Sequence, residues 1–564
     1  MKKSLSKGIT LISLVVTIIV LLILAGVAIS MTLSDNGILN RAKQATDIHK
    51  EAYENELTTL GQANNKIDSY MNQSESGLEL EDEEEKPELK PFITKWKTTQ
   101  PNESIKLPLT EDGEYNFKVN YGDGNEYTIA SYDDLNATHT YVEPGTYTVT
   151  IEGKMTDFSF KNIPDSKDKI VELVQWGNTQ MLDIDFKDCL NLAGTIPVPT
   201  KGTFESLESV AGLFAGCSSL TGEIPANLFY GADNVMYLSG VFSDCTGLTG
   251  SIPKELFSRL EKINDLSAAF EGCTGLSGNI PENLFMSNKE VQYIDNVFAG
   301  CSGLTGSIPA KLFADNPDII YLSAAFEGCT GLSGSIPENL FANNPELTYL
   351  TSAFEGCTGL TGNIPENLFA NNAKLEELYS VFEGCTGLTG SIPANLFANN
   401  PELIYLYSAF EGCVGLTGSI PENLFTNNTK LTEIYSVFSD CSGLTGNIPA
   451  NLFKNNINLT SLYAVFRNCT GLTGEIPSNL FANSPLVEDF GRIFYNCQGL
   501  TIVYENMFDN NTNITDVSHA FDGCINLEGT GPALWENGNI NGAECYKGCE
   551  KLTNYADAEA NGWT

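Results

Sequence analysis

The sequence predicts an α/β solenoid of 28-residue coils, preceded by an N-terminal transmembrane helix and a small β-sandwich. Three observations carry this. Twelve cysteines stand 28 residues apart, from Cys189 through Cys217 to Cys497, and their neighbours travel with them. An uncharged apolar run fills residues 9–29. Between them, residues 92–160 break into short alternating runs separated by Gly- and Pro-bearing turns.

The chain has 564 residues, with 31 Lys plus Arg against 71 Asp plus Glu, and a formal net charge of −40. Such a field repels a phosphate backbone, so nucleic acid is excluded as an expected partner. The acidity itself names no ligand and first of all keeps a large surface soluble.

Residues 1–8 carry three lysines before the apolar run, and 9–29 in a helix reach about 31 Å, the thickness of a bilayer core. The positive-inside rule leaves Met1 in the cytoplasm and everything after about Ser30 outside, a single-pass cell-membrane protein with its bulk extracellular. Lys7-Gly8-Ile9-Thr10-Leu11-Ile12-Ser13, followed by that run, resembles the N-terminus of type IV prepilins and pseudopilins. The resemblance implies a leader over 1–8 and a prepilin peptidase that cuts between Gly8 and Ile9. The family usually places Glu five residues after the cut; Ser13 stands there, which weighs against filament assembly. An uncleaved anchor is the alternative.

Residues 30–75 are polar with apolar positions near helical spacing, which predicts an extracytoplasmic helix. Residues 76–91 hold Glu79-Leu-Glu-Asp-Glu-Glu-Glu85-Lys-Pro87, a solvated acidic linker without the spaced ligands or turn glycine of a calcium loop.

Within 92–160, Val119-Asn-Tyr121-Gly122-Asp123-Gly124 and Thr138-His139-Thr-Tyr141-Val-Glu-Pro144-Gly145-Thr-Tyr147 resemble the PKD-like domain. That resemblance implies an immunoglobulin-like β-sandwich acting mainly as a spacer, with Tyr121 where the family usually has Trp. The three histidines, His49, His139 and His519, lie in three regions, and no zinc site or catalytic triad is expected from them.

Residues 161–188 are expected to cap the array, 189–552 to form it, and 553–564 to close it as a C-terminal tail. In each coil an apolar segment precedes the Cys, as in Leu403-Ile-Tyr405-Leu406-Tyr407-Ser-Ala-Phe410-Glu-Gly-Cys413. After Ile-Pro, Glu422-Asn-Leu424-Phe425-Thr-Asn-Asn428 predicts one or two helical turns, with Pro421 at the start and Asn at the end. The strand falls either on 403–410 or on Leu416-Thr-Gly-Ser-Ile420, which pattern alone does not separate. The Cys sits between Phe at −3 and Leu at +3, so a reduced, buried ladder is expected in place of disulfides, although coil spacing permits either. Cys545, four residues before Cys549, is out of phase. The period shortens to 27 at Cys524 and 25 at Cys549, and Lys551-Leu-Thr-Asn-Tyr555 fits a terminal cap.

Phe-x-x-Cys-x-x-Leu resembles the BspA-like leucine-rich repeats of bacterial surface proteins, across the whole array. The resemblance implies a leucine-rich-repeat-like solenoid and a non-catalytic surface protein for adhesion or binding of a protein or glycan ligand. The candidate ligand-binding residues are Tyr379, Tyr407, Tyr435 and Tyr463, six before the Cys, and Tyr293, Tyr321 and Tyr349, eight before it. Glu271, Glu327, Glu355, Glu383 and Glu411 flank them. The competing reading is that stacked rings stabilise adjacent coils, and that Asn343-Asn344, Asn371-Asn372 and Asn399-Asn400 form turn ladders. Neither cofactor nor metal is expected, and no nucleophile with a base or phosphate loop points to an enzyme. A minor pilin or pseudopilin carrying the solenoid on a type IV-like filament is the alternative function.

Overall fold

The computed structural model describes residues 90–564, with Ile163 excepted. The leader, the apolar run 9–29, the expected helix 30–75 and nearly all of the acidic linker lie outside the described residues. Among those described, no helix is long and apolar enough to cross a membrane.

The chain first builds a β unit. Its strands are β1 (Phe92–Thr98), β2 (Glu103–Lys106), β3 (Tyr115–Asn120), β4 (Glu126–Ile129), β5 (Thr138–Tyr141) and β6 (Gly145–Met155), followed by β7 (Asp157–Ser159), β8 (Ile170–Gln175) and β9 (Asp183–Asp185). One sheet has the order β4-β3-β6-β1-β8, and β2 pairs with β5 in a second. Alternation explains the burial: Phe92, Trp96, Phe117, Val119, Val149 and Ile151 turn inward while their neighbours face water. His139 stacks on Tyr121 at 4.2 Å and its Nε2 lies 2.8 Å from Asp123, which is a structural employment. Tyr141 donates its hydroxyl to the carbonyl of Tyr121 at 2.8 Å.

The same unit starts the array. β8 closes the edge of the five-stranded sheet, and β7 pairs in parallel with β9. From β9 the parallel ladder runs on through single bridge residues, Asp183 to Ser209, Tyr237, Asp265 and Tyr293, and ends at Asn541. A second ladder joins the Gly at +5 of each coil to the Leu at +3 of the next, as in Gly362 with Leu388. Both candidate segments of the coil thus carry inter-coil pairing, each for a residue or two. The longest such pieces are β10 (Gly474–Glu475), β11 (Leu500–Val503) and β12 (Glu528–Gly529).

The expected helix after Ile-Pro is not there. Leu368 donates to the carbonyl of Pro365, Ala370 to Asn367 and Asn372 to Phe369, a string of three-residue turns instead of an α-helix. Eight residues are too few to recover the cost of an α-helical nucleus, and the terminal Asn is held sideways by the previous coil. The α component of the solenoid is therefore corrected: the described residues hold one α-helix, α1 (Tyr555–Ala560), at its end.

Stacking is tight because specific positions permit it. Alternate amides of one coil, Leu350, Ser352, Phe354 and Gly356, donate to the carbonyls of Glu377, Tyr379, Val381 and Glu383 in the next. The Gly at +2 makes the closest approach: a Cβ on Gly387 would lie 2.3 Å from the carbonyl oxygen of Leu360. Inside, Phe at −3 stacks coil on coil, as Phe354 on Phe382 at 5.8 Å, and a second Phe column stacks beside it, as Phe369 on Phe397 at 6.2 Å. Each coil thereby buries the apolar face of its neighbour.

The last coil is covered by apolar residues, not only the polar ones expected. Trp563 folds back against Trp535 at 5.8 Å, and its carbonyl accepts the amide of Tyr546 at 2.9 Å. Tyr546 stacks on Phe521 and takes the place of the next Phe in the inner column.

Candidate functional site: the tyrosine and glutamate columns

Stacking turns a sequence position into a column. All fifteen cysteines are free and buried. Each thiol from Cys217 to Cys524, and that of Cys549, donates to the carbonyl of the Phe three residues before the ladder Cys of the previous coil, as Cys357 to Phe326 at 2.9 Å. Burial pushes the Cys357 thiol up to about 12, so it stays protonated and serves as a donor. Cys545 is buried like the rest.

The asparagines form a second inner column. Asn372 donates through Nδ2 to the carbonyls of Phe341 and Asn344 at 3.0 and 2.8 Å, and Asn400 repeats the pattern on Phe369 and Asn372. The preceding Asn bonds outward of it, as Asn371 to the carbonyl of Ala342 at 2.9 Å. These are turn ladders.

The outward columns remain. Tyr293, Tyr321 and Tyr349 form one stack, with ring centroids 4.9 and 4.6 Å apart. Tyr379, Tyr407 and Tyr435 form another, at 4.4 Å for both pairs. The first stack sits eight residues before the Cys and the second six before it, so they are offset on the same segment. Tyr463 continues the second column but forms no ring stack with Tyr435 among the described residues. Ring faces are therefore mostly covered by other rings, and the stacks present edges and hydroxyls to solvent. Burial and the adjoining tyrosines push the Tyr407 phenol well up, so it stays a neutral donor.

Beside them runs an acidic column two residues before the Cys. Glu327, Glu355, Glu383 and Glu411 occupy it in four consecutive coils, each half-buried. Burial, then the carboxylates of Glu355 and Glu271, raise Glu327 above the usual carboxylate range. Burial also raises Glu383, against the opposing hydrogen bond from Ser380, with Glu355, Glu411 and Glu327 adding to the rise. Ser380 and Ser408 donate to Glu383 and Glu411 at 2.8 Å, linking the acidic column to the residue next to the tyrosines.

A further cluster was hidden by the shortened period. His519 Nδ1 lies 2.9 Å from Asp522 and 3.5 Å from Glu544, and these three could together approach a cation. The Lys547 ammonium already sits 2.6 Å from the same Glu544 oxygen, so the group reads as an ion-pair network closing the array. Counting back from Cys524 and Cys549 would have found it, since His519 and Glu544 both stand at −5.

No family model matches the sequence, and no curated protein matches it. Among solved structures the chain is similar to the leucine-rich-repeat domain of APL1, at 15% identity and TM-score 0.33, over 54% of this chain and 64% of that one. It is also similar to a structure of the Toll–Spatzle complex of Drosophila, at 17% identity and TM-score 0.28, over 72% and 52%. A third likeness is to the Arabidopsis receptor kinase HAESA with the peptide hormone IDA and co-receptor SERK1, at 19% identity and TM-score 0.23, over 67% and 74%. The chain thus spans under two thirds of the length of the first two. At these scores the likeness settles nothing about function, which rests on this chain's own geometry.

Proposed function

We propose that the protein is a non-catalytic, membrane-anchored surface protein of the leucine-rich-repeat kind, holding its solenoid outside the cell to bind a ligand or adhere. The observation that carries this is the repeated outward face, in which tyrosine edges and half-buried glutamates line the same segment of successive coils. Half-buried polar and aromatic groups in register along a rigid scaffold suit recognition, because little side-chain freedom is lost on binding. The covered ring faces make sugar stacking a poor use of the tyrosines and favour a protein ligand that meets hydroxyls and carboxylates. Anchoring through 9–29, and processing between Gly8 and Ile9, belong to the same proposal on the strength of the prepilin-like N-terminus.

The test is a protein and glycan array probed with the full-length chain, beside a variant with Tyr379, Tyr407, Tyr435 and Tyr463 changed to Ala. Capture lost in the variant supports the face as the binding surface. Capture that survives moves binding elsewhere, and no capture at all removes the ligand-binding reading.

A further inference from the structure

In the ion-pair network at the end of the array, three side chains of metal-ligand type converge. His519, Asp522 and Glu544 each bring one ligand atom within 4.8 Å of the other two, and no other such group occurs among the described residues. His519 Nδ1 lies 2.9 Å from Asp522 Oδ2 and 3.5 Å from Glu544 Oε2. Ligand atoms at about 2.0–2.2 Å from a zinc ion stand roughly 3.4 Å apart in a tetrahedron, so both measured edges lie close to those of a zinc site.

The backbone sets these ligands in place. In the middle coils the residue five before the Cys is small, as in Ser380, Ser408 and Ala464, whereas the last two coils place His519 and Glu544 there, in adjoining layers. Both take a left-handed φ, of 55° and 54°, and the amide of His519 donates to the carbonyl of Ala543 at 2.9 Å, which holds the two coils in register. Asp522 reaches the same point from three residues along the first of these coils and is only 9% exposed. The ligand positions thus sit on the rigid inter-coil ladder.

A cation is already drawn to the spot. The Lys547 ammonium is 2.6 Å from the Glu544 oxygen that faces His519, but its side chain is 57% exposed, and an exposed ion pair is held weakly. A doubly charged ion that takes the imidazole nitrogen and both carboxylates at once displaces it. The imidazole also selects, because nitrogen ligands suit first-row transition metals while Ca²⁺ and Mg²⁺ take oxygen.

We infer that His519 Nδ1, Asp522 and Glu544 bind a divalent transition metal of the zinc kind, with water completing its shell and Lys547 swung away, and that the metal clamps the last coil to the one before it. The terminal coil has a neighbour on one side only, so a cross-link there secures the end from which the array would fray. The clamp serves the cap and does not depend on what the tyrosine face binds.

The experiment titrates Zn²⁺ into the chelator-treated full-length chain in detergent by calorimetry, with Ca²⁺ as the control ion and the melting temperature followed alongside. One Zn²⁺ should bind at micromolar affinity and raise the melting temperature, and Ca²⁺ should do neither. His519→Ala should weaken Zn²⁺ binding about tenfold or more and abolish the rise, while Lys547→Gln should tighten binding several-fold by freeing the Glu544 oxygen. An ion-pair role alone predicts no gain from Lys547→Gln. Zinc bound equally by the parent and His519→Ala has collected on the acidic surface at large and overturns the site, as does a Lys547→Gln variant that binds no tighter than the parent. Should His519→Ala not fold, Asp522→Asn keeps the shape of the side chain and must show the same loss. A parent chain with no single-site binding overturns the inference outright.

Discussion

The side-chain amide of Asn372 donates to the backbone carbonyl of Asn344, the same residue one coil earlier, at 2.8 Å. Its second hydrogen goes to Phe341 at 3.0 Å, so one buried side chain adds a second bond to each of two turn carbonyls, which also accept the amides of Leu347 and Asn344. The pattern recurs from Asn288 to Asn456, and Ser484 interrupts it with a single bond of 3.3 Å to Asn456. Asn372→Ala should cost roughly 1–2 kcal/mol, since it removes two buried side-chain hydrogen bonds while each carbonyl keeps its backbone amide. Asn372→Asp should cost more, because a carboxylate offers no donor and repels them. Urea denaturation checks this. If Asp is tolerated as well as Ala, the ladder is not what holds the turn.

The cysteine ladder makes a separate claim about chemistry. Every thiol is buried, and those of Cys217, Cys273 and Cys357 are each pushed up to about 12 by desolvation, moderated by a backbone amide. A thiolate-directed reagent at about pH 8 should therefore label almost none of the fifteen in the native chain. After unfolding without reductant, nearly all should titrate. Rapid native labelling, or a shortfall of several thiols after unfolding, would falsify the buried reduced ladder.

Within the tyrosine columns the rings do unequal work. Tyr407 sits between Tyr379 and Tyr435, with both centroids 4.4 Å away. Tyr463, at the same position one coil beyond Tyr435, is more exposed, at 36%. Tyr407→Ala should lower stability by about 1–3 kcal/mol, and Tyr463→Ala by under about 1 kcal/mol. Thermal melts of the two variants decide it. Equal costs would mean that ring stacking contributes nothing beyond buried area.

Much of this was legible in the cysteine period. A constant 28-residue spacing forces equivalent residues into columns, so the buried Cys, the Phe and Leu beside it, the Asn ladders and the outward tyrosines could all be placed by counting. Two things could not. Local pattern suggested a helix after Pro421, but the coil's tight return and the sideways hold on Asn428 leave only turns. The sequence also left open whether the tyrosine rings face a ligand or stack coil on coil, and a coil rise close to ring thickness makes neighbouring rings cover one another. The −5 position shows a further limit, because Ser380 and Ser408 adopt φ of 51° and 52°, a left-handed turn that serine does not advertise.

The half-buried glutamates give the array an unusual response to pH. Glu271, Glu327 and Glu383 are all raised by burial first, with nearby carboxylates adding to it. A carboxyl raised in the folded state binds its proton more tightly there than in the unfolded chain. Its contribution is therefore fully present below the unfolded value, near 4.3, and is lost as pH rises through the folded value. Glu103, lowered mainly by the amide of Thr99, and Glu114 and Glu544, lowered by Lys154 and Lys547, act in the opposite sense. Their contribution is lost as pH falls through their folded values, below the ordinary range. On mild acidification from neutral pH the raised carboxyls take up protons before the ordinary ones, so the melting temperature should climb before falling at lower pH. Glu383→Gln isolates the effect: the neutral amide keeps an oxygen for Ser380 and removes the charge. The variant should melt higher than the parent at pH 7.5, and the gap should close near pH 4, where the parent carboxyl is protonated too. A variant that melts lower at pH 7.5, or a gap that does not change with pH, would show that repulsion along the column is negligible and that Glu383 is held by its serine bond alone.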